Sequence, residues 1–241
     1  MQINPKSVKK QFEKSLDTYN QNACVQRVMA EKMIDAIGDK YFANILELGS
    51  GSGLLTEELV KKIKFDKYFA NDLTEKSEKY IKQIIPTAIF YHGNAQKIRP
   101  TQKMDLIISN AMFQWFKNLE TVSSHFKNIL NQDGILAFST FSPDNFKEIK
   151  NLTGLSLEYK SLQDTVKIFE KDYKIIYSTE FTQTLKFSNP LEILAHMKNT
   201  GVNSLGHWTF KEVKDFCLEY KEKYPDLTLT YSPIILICKK V

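Results

Sequence analysis

Asn44-Ile45-Leu46-Glu47-Leu48-Gly49-Ser50-Gly51-Ser52-Gly53 is the stretch on which the fold turns. Its apolar first half runs into glycine and reads as a short buried strand, after which Leu54 to Ile63 resumes with helical spacing. A strand, a glycine loop and a helix in that order turn backbone N–H groups toward a helix start, where a ligand can come close to the chain. The dinucleotide fingerprint requires glycines at its first, third and sixth positions. Counted from Gly49, the sixth position is Leu54 and Gly53 stands at the fifth. Glu47 adds a second departure, because its carboxylate would crowd a pyrophosphate but suits a cationic or zwitterionic ligand.

Outward from this loop the chain alternates. Lys67 to Asn71 reads as a second strand, Glu75 to Ile84 as a helix and Ala88 to His92 as a third strand. Asp105 to Ser109 and Gly134 to Phe141 are further strands around a helix from Leu119 to Leu130, with Asp133-Gly134 as the entering turn. Such alternation predicts an α/β fold with a mostly parallel sheet covered on both faces. Upstream, Val8 to Ile37 predicts two helices broken near Asn20 to Asn22. Beyond Phe141 the rhythm changes to a loop and helix reaching about Glu170, a strand from Lys174 to Phe187, helices over Pro190 to Thr200 and Thr209 to Tyr224, and a closing strand from Thr228 to Lys239. Pro233 removes a ladder donor from that last strand, so a bulge or a late strand start is expected there.

At 241 residues with 42% apolar side chains, a single domain is expected over 1–241. Helices of 1–40 and an insertion of 188–224 would cap a ligand-binding core of 44–141. The amino terminus carries lysines without the apolar run of a signal peptide, and Ile234 to Cys238 is far too short to span a bilayer. A soluble cytoplasmic protein is therefore expected. Cys24, Cys217 and Cys238 are scattered, which predicts neither a disulfide framework nor a metal cluster. His92, His125, His196 and His207 show no metal-ligand spacing either. The net charge of +5 rests almost wholly on lysine, since Arg27 and Arg99 are the only arginines, and it reads as a solvated surface before it reads as a docking patch.

The pattern Glu47-x-Gly49-x-Gly51-x-Gly53 after a strand resembles motif I of the class I S-adenosylmethionine-dependent methyltransferases. That resemblance implies a Rossmann-like fold with a seven-stranded sheet and a helical cap, and S-adenosyl-L-methionine as cofactor. Glu47, Gly49, Ser50, Gly51 and Gly53 would form the cofactor loop. Asp72, 23 residues after Gly49, with Leu73, stands where a carboxylate accepts both ribose hydroxyls, although an Asp ahead of a helical run also serves as an N-cap. Asn94 with Ala95 follows the third strand, where that family often has an aspartate beside the adenine amino group; an amide oxygen can still accept from it. Asn110 ends the fourth strand beside the methionine moiety. It is followed by Ala-Met and not by the Pro-Pro-aromatic triplet of nucleic-acid amino methylases, so no nucleic acid partner is expected.

A narrower resemblance rests on Phe12-x6-Tyr19-x3-Ala23-x2-Gln26, on Ser109-Asn110-Ala111-Met112-Phe113-Gln114-Trp115 with Leu136 to Phe141, and on Leu194 to Asn203. These segments are similar to the malonyl-carrier-protein O-methyltransferases of biotin synthesis. The likeness implies a malonyl thioester of acyl carrier protein or of coenzyme A as substrate. Tyr19 would be the catalytic residue, Gln26 a cofactor contact, and Gln114, Trp115, Phe116 and Phe141 substrate contacts. Aromatic residues at helical spacing are usually core, and that reading is taken for Phe12; Tyr19, among Asp17, Thr18, Asn20 and Gln21, fits core or cleft equally. Other small carboxylates, nucleic acid, and a noncatalytic cofactor-binding protein stand as alternatives; a nicotinamide dehydrogenase is disfavoured by Glu47 and Leu54.

Overall fold

The computed structural model describes residues 5–201 and 208–241, and of the side chains between 5 and 15 only those of Lys9, Phe12 and Glu13. Helices α1 (Pro5–Asn22) and α2 (Cys24–Ile37) come first and part at Ala23, next to the predicted break. They lead into β1 (Tyr41–Leu48), α3 (Leu54–Leu59), β2 (Lys64–Asp72), α4 (Ser77–Ile84), β3 (Ile89–His92), β4 (Met104–Ser109), α5 (Leu119–Ile129) and β5 (Leu130–Phe141). The strand β5 starts earlier than expected: Asp133, with φ of 62°, and Gly134 lie within it as an irregularity. After α6 (Lys147–Thr153), α7 (Leu162–Phe169) and β6 (Tyr173–Glu180) come β7 (Gln183–Lys186), α8 (Pro190–Asn199), α9 (Phe210–Lys223), β8 (Thr228–Tyr231) and β9 (Pro233–Lys240).

Seven strands form one sheet in the order β3-β2-β1-β4-β5-β9-β6. From β3 to β5 neighbours run parallel, while β9 is antiparallel to both β5 and β6. This is the Rossmann-like arrangement expected. Alternation along the strands sorts adjacent residues onto opposite faces. Ile45 and Ile108 join α2, α3 and α4 through Met33, Leu59 and Ile81, whereas Leu46 and Ile107 join α5 and α7 through Phe126 and Phe169. Helix starts follow their polar caps: Asn118 accepts from Thr121, Ser161 from Asp164 and Asn189 from Glu192.

Two expected long strands are each divided. The stretch Lys174 to Phe187 separates into β6 and β7, and Thr228 to Lys239 separates at Ser232 into β8 and β9. Pro233 opens β9, where its missing N–H costs no ladder bond. Both segments thus leave the sheet at one level, and β7 with β8 forms a separate two-stranded ribbon that carries α8 and α9. A third core, with Val25, Met29, Phe146, Ile193, Phe216 and Tyr231, fills the space between these helices and the sheet.

Candidate active site

A cavity of about 240 Å³ opens at the carboxyl ends of β1, β2, β3 and β4. The strand order reverses there, with β2 on one side of β1 and β4 on the other, and such a switch point leaves a crevice between diverging connections. The glycine loop forms its floor. Gly49 holds a φ of 67°, and a Cβ on it would lie 2.7 Å from Met112 Cγ, so the close approach of loop and Met112 requires glycine. Ser50 N–H donates to the Asn71 carbonyl at 3.0 Å, which ties the loop to the end of β2. The Ser50 hydroxyl is buried in this wall without a partner, a polar group that a ligand would satisfy.

Asp72 stands beside the loop. One carboxylate oxygen accepts from Gly51 N–H and the other from Thr74 N–H, each at 2.8 Å. It caps the turn after β2 and not α4, which starts only at Ser77. Burial raises its pKa, against the pull of those N–H groups. Each oxygen keeps further lone-pair capacity, so the ribose role and the turn role are compatible. Asn94 Oδ1 accepts from Gln96 N–H at 2.9 Å, which caps the turn Ala95–Lys97 and orients the amide at the cavity edge.

Glu47 is buried beneath the loop. Thr56 Oγ1 donates to its carboxylate at 2.5 Å and the Tyr68 hydroxyl donates to the same oxygen. Desolvation nevertheless pushes its pKa up to about 7, with the nearby Asp72 charge adding to the rise. A buried and a half-buried carboxylate on one cavity make the floor a poor host for phosphate and a good one for a cation.

Helix α1 supplies the opposite wall through Lys9, Phe12, Leu16 and Tyr19. The Tyr19 ring packs at 6.0 Å from Phe12, and burial raises the pKa of its phenol. Phe12 also meets Trp115 edge-on at 6.3 Å. Asn110, Ala111, Met112, Trp115, Phe116 and Lys117, after β4, complete the enclosure.

Tyr19, Glu47, Gly49, Ser50, Gly51, Asp72, Leu73, Asn94, Ala95, Asn110, Trp115 and Phe116 all line this one cavity. Four expected site residues do not. Gly53 turns away toward α4 and holds a left-handed φ of 81° just ahead of α3, so it is glycine for its backbone conformation. Gln26 is buried in α2, and its backbone carbonyl accepts from Asn110 Nδ2 at 2.9 Å. Gln114 bends back to donate to the Ala111 carbonyl at 2.6 Å. Phe141 lies in the third core against Tyr231. Conversely, Phe12 reaches the cavity, as do Leu16, Met112 and Lys117. The seven-residue step from Phe12 to Tyr19, two helical turns, was the signal for the first.

The histidines are dispersed. His92 Nε2 lies 3.0 Å from the Leu73 carbonyl, His125 sits beside Arg99, and His196 Nε2 meets the Tyr231 hydroxyl at 2.7 Å, burial lowering its pKa. His207 lies outside the described residues, as do Val202 and Asn203 of the late resembling segment. Among the described residues no three His, Cys, Asp or Glu side chains gather as metal ligands. No helix among them is long and apolar enough to cross a membrane.

With this geometry in place, similar proteins are informative. A family model described as "Methyltransferase domain" matches residues 46–138. A malonyl-[acyl-carrier protein] O-methyltransferase of Porphyromonas gingivalis is 33% identical over 99% of this chain and 97% of its own length. One from Haemophilus influenzae is 31% identical, over 98% and 95% respectively. A putative methyltransferase from Bacillus halodurans has a similar fold, with a TM-score of 0.64 at 18% identity over 88% of this chain and 98% of that one. The N-methyltransferase NodS of Bradyrhizobium japonicum, solved with S-adenosyl-L-homocysteine, gives 0.59 at 9% identity over 97% and 98%. By its near-full-length identity to them, the chain belongs to the malonyl-[acyl-carrier protein] O-methyltransferase family of S-adenosylmethionine-dependent enzymes.

Proposed function

We propose that this enzyme methylates the free carboxylate of a malonyl thioester, carried by acyl carrier protein or by coenzyme A, as an early step of pimeloyl assembly for biotin. The observation that carries the reading is the single cavity in which the glycine loop and Asp72 face the aromatic wall of Phe12, Tyr19, Trp115 and Phe116. S-Adenosylmethionine, when bound, supplies a sulfonium-activated methyl carbon, to which the carboxylate oxygen bonds as the carbon–sulfur bond breaks to leave a methyl ester and S-adenosylhomocysteine.

The residues present fit that cofactor. Gly49, Ser50 and Gly51 would receive its amino-acid part, with the unpartnered Ser50 hydroxyl among the groups available to it. Asp72 and Leu73 would hold the ribose, Asn94 and Ala95 the adenine edge, and Asn110 the methionine side. Glu47 below the loop would favour the positive charge.

A malonyl carboxylate has a pKa of about 4, so at neutral pH it arrives ionised and no side chain need take a proton. The chain's task is then alignment at close approach in a site from which water is excluded. Tyr19 suits this task because burial keeps its phenol protonated and hence a donor. A neutral donor is the right partner for an oxygen that loses charge during transfer, since a strong cation would hold the reactant more tightly than the transition state. Trp115, Phe116, Phe12 and Leu16 shield the reacting oxygen, while α1 with α2 and the α8–α9 insertion serve as the cap over the core of one domain. We place the reaction in the cytoplasm, with no nucleic acid or membrane involved.

Incubating the enzyme with labelled cofactor and malonyl carrier protein, malonyl coenzyme A or bulk RNA tests the proposal. One methyl group added to a malonyl thioester, read by mass, is expected. Transfer to RNA alone, or to none of the three, would overturn it.

A further inference from the structure

The turn that follows β4 carries Met112, Trp115 and Phe116 to the cavity, and side chains from outside the cavity hold it in place. Ser139, fully buried on β5, binds this turn twice. Its hydroxyl donates to Asn110 Oδ1 at 2.5 Å and accepts from Ala111 N–H at 2.9 Å. The other end of the Asn110 amide donates to the Gln26 carbonyl of α2 at 2.9 Å, so both ends of that amide are anchored, each with capacity for one further bond. Gln114 then closes on the Ala111 carbonyl at 2.6 Å. Ala111 itself holds a φ of 51°, a conformation an L-residue rarely adopts, and with both its N–H and its carbonyl held by side chains it has little freedom to leave it.

From this network we infer that Ser139 is a positioning residue for methyl transfer. Resting on the methyltransferase reading above, the inference gives Ser139 no contact with substrate or cofactor; it acts through Asn110 and Ala111. In β5 it stands one strand away from β4, next to the place where Asn110 leaves the sheet. It orients the Asn110 amide and fixes the left-handed Ala111, which directs the following residues along the cavity wall. The glycine loop after β1 and Asp72 at the end of β2 have no bond to it, so of the proposed cofactor contacts only the one from Asn110 depends on it.

The test is Ser139→Ala, with Ser139→Thr as the conservative partner, each measured for turnover, cofactor dissociation constant by calorimetry, and thermal midpoint. Wild type is assayed first, and an acceptor it methylates is used for all variants, so a failed malonyl assignment is recognised before the variants are compared. Loss of alignment by a fraction of an ångström up to about 1 Å predicts a kcat lower by roughly 10- to 100-fold in Ser139→Ala. Cofactor affinity, which loses at most the Asn110 contact, should fall by far less than kcat, and Ser139→Thr, which keeps the hydroxyl, should recover most of the turnover. A folded Ser139→Ala that turns over like wild type overturns the inference, and so does a Thr variant as slow as the Ala variant. If Ser139→Ala does not fold, Gln114→Met carries the same test from the other side of Ala111: lowered kcat with unchanged cofactor affinity supports the inference, and unchanged kcat refutes it.

Discussion

Cofactor affinity should depend on pH through Glu47. In the ligand-free protein its pKa is pushed from the ordinary 4.5 up to about 7 by burial, so near neutrality about half of the molecules carry it protonated. A cationic ligand above the carboxylate favours the ionised form and lowers this pKa. Binding then releases a proton, and affinity falls as pH drops below 7 and levels off above it. About a tenth of unbound molecules are ionised at pH 6 and about nine tenths at pH 8, so the association constant should rise roughly tenfold across that window, about 1.4 kcal/mol. The stability sign is opposite. A carboxyl whose folded pKa is raised adds stability below about 4.5, and that contribution is lost as pH rises through about 7. The rise in thermal midpoint on adding cofactor should therefore be larger at pH 8 than at pH 6. Titration calorimetry at pH 6 in two buffers of different ionisation enthalpy should detect close to one proton released per cofactor. Glu47→Gln should abolish the release and flatten the profile. An affinity independent of pH from 6 to 8, or a slope that survives in Glu47→Gln, would refute the account.

Three further outcomes are expected. Asp72→Ala removes the acceptor of Gly51 and Thr74 N–H as well as the proposed ribose anchor, and should weaken cofactor binding by roughly 10- to 100-fold, in line with charge-assisted hydrogen bonds of about 1.5–3 kcal/mol; calorimetry showing unaltered affinity would discard the ribose assignment. Tyr19→Phe keeps the ring against Phe12 but loses the phenol, and should lower kcat by roughly tenfold with cofactor affinity nearly constant, the scale of one neutral hydrogen bond. Equal turnover would remove Tyr19 from the mechanism. Gly49→Ala forces a Cβ to 2.7 Å from Met112 Cγ at a φ of 67°, and should cost about 1–3 kcal/mol of stability along with cofactor binding. A thermal midpoint equal to wild type would show that the loop moves freely away from Met112.

Much of the fold was legible from local order. Asn44 to Gly53 and the βα alternation after it predict a parallel sheet because each strand and helix announces itself by its own periodicity. The switch-point cavity follows, since residues that end β1, β2, β3 and β4 must meet wherever the strand order reverses. That is why Glu47, Asp72, Asn94 and Asn110, far apart in the chain, were readable as one site and line one cavity.

What the chain pattern left open depended on neighbours distant in sequence. The apolar run through Thr228 to Lys239 looks continuous, yet Ser232 divides it because β8 finds its partner in β7 and β9 finds β5 and β6. Gly53 and Gln114 have the residue types of ligand contacts, but α4 packs on one and the Ala111 carbonyl captures the other. Phe12 reads as core by composition and reaches the cavity because α1 crosses in front of Trp115. Sequence alone therefore determined the order of elements and the chemistry of the loop, which local periodicity and residue type encode. Tertiary structure alone decided which side chains face the ligand and which brace those that do, because that depends on contacts such as Ser139 with Asn110, between strands that only the folded sheet sets side by side.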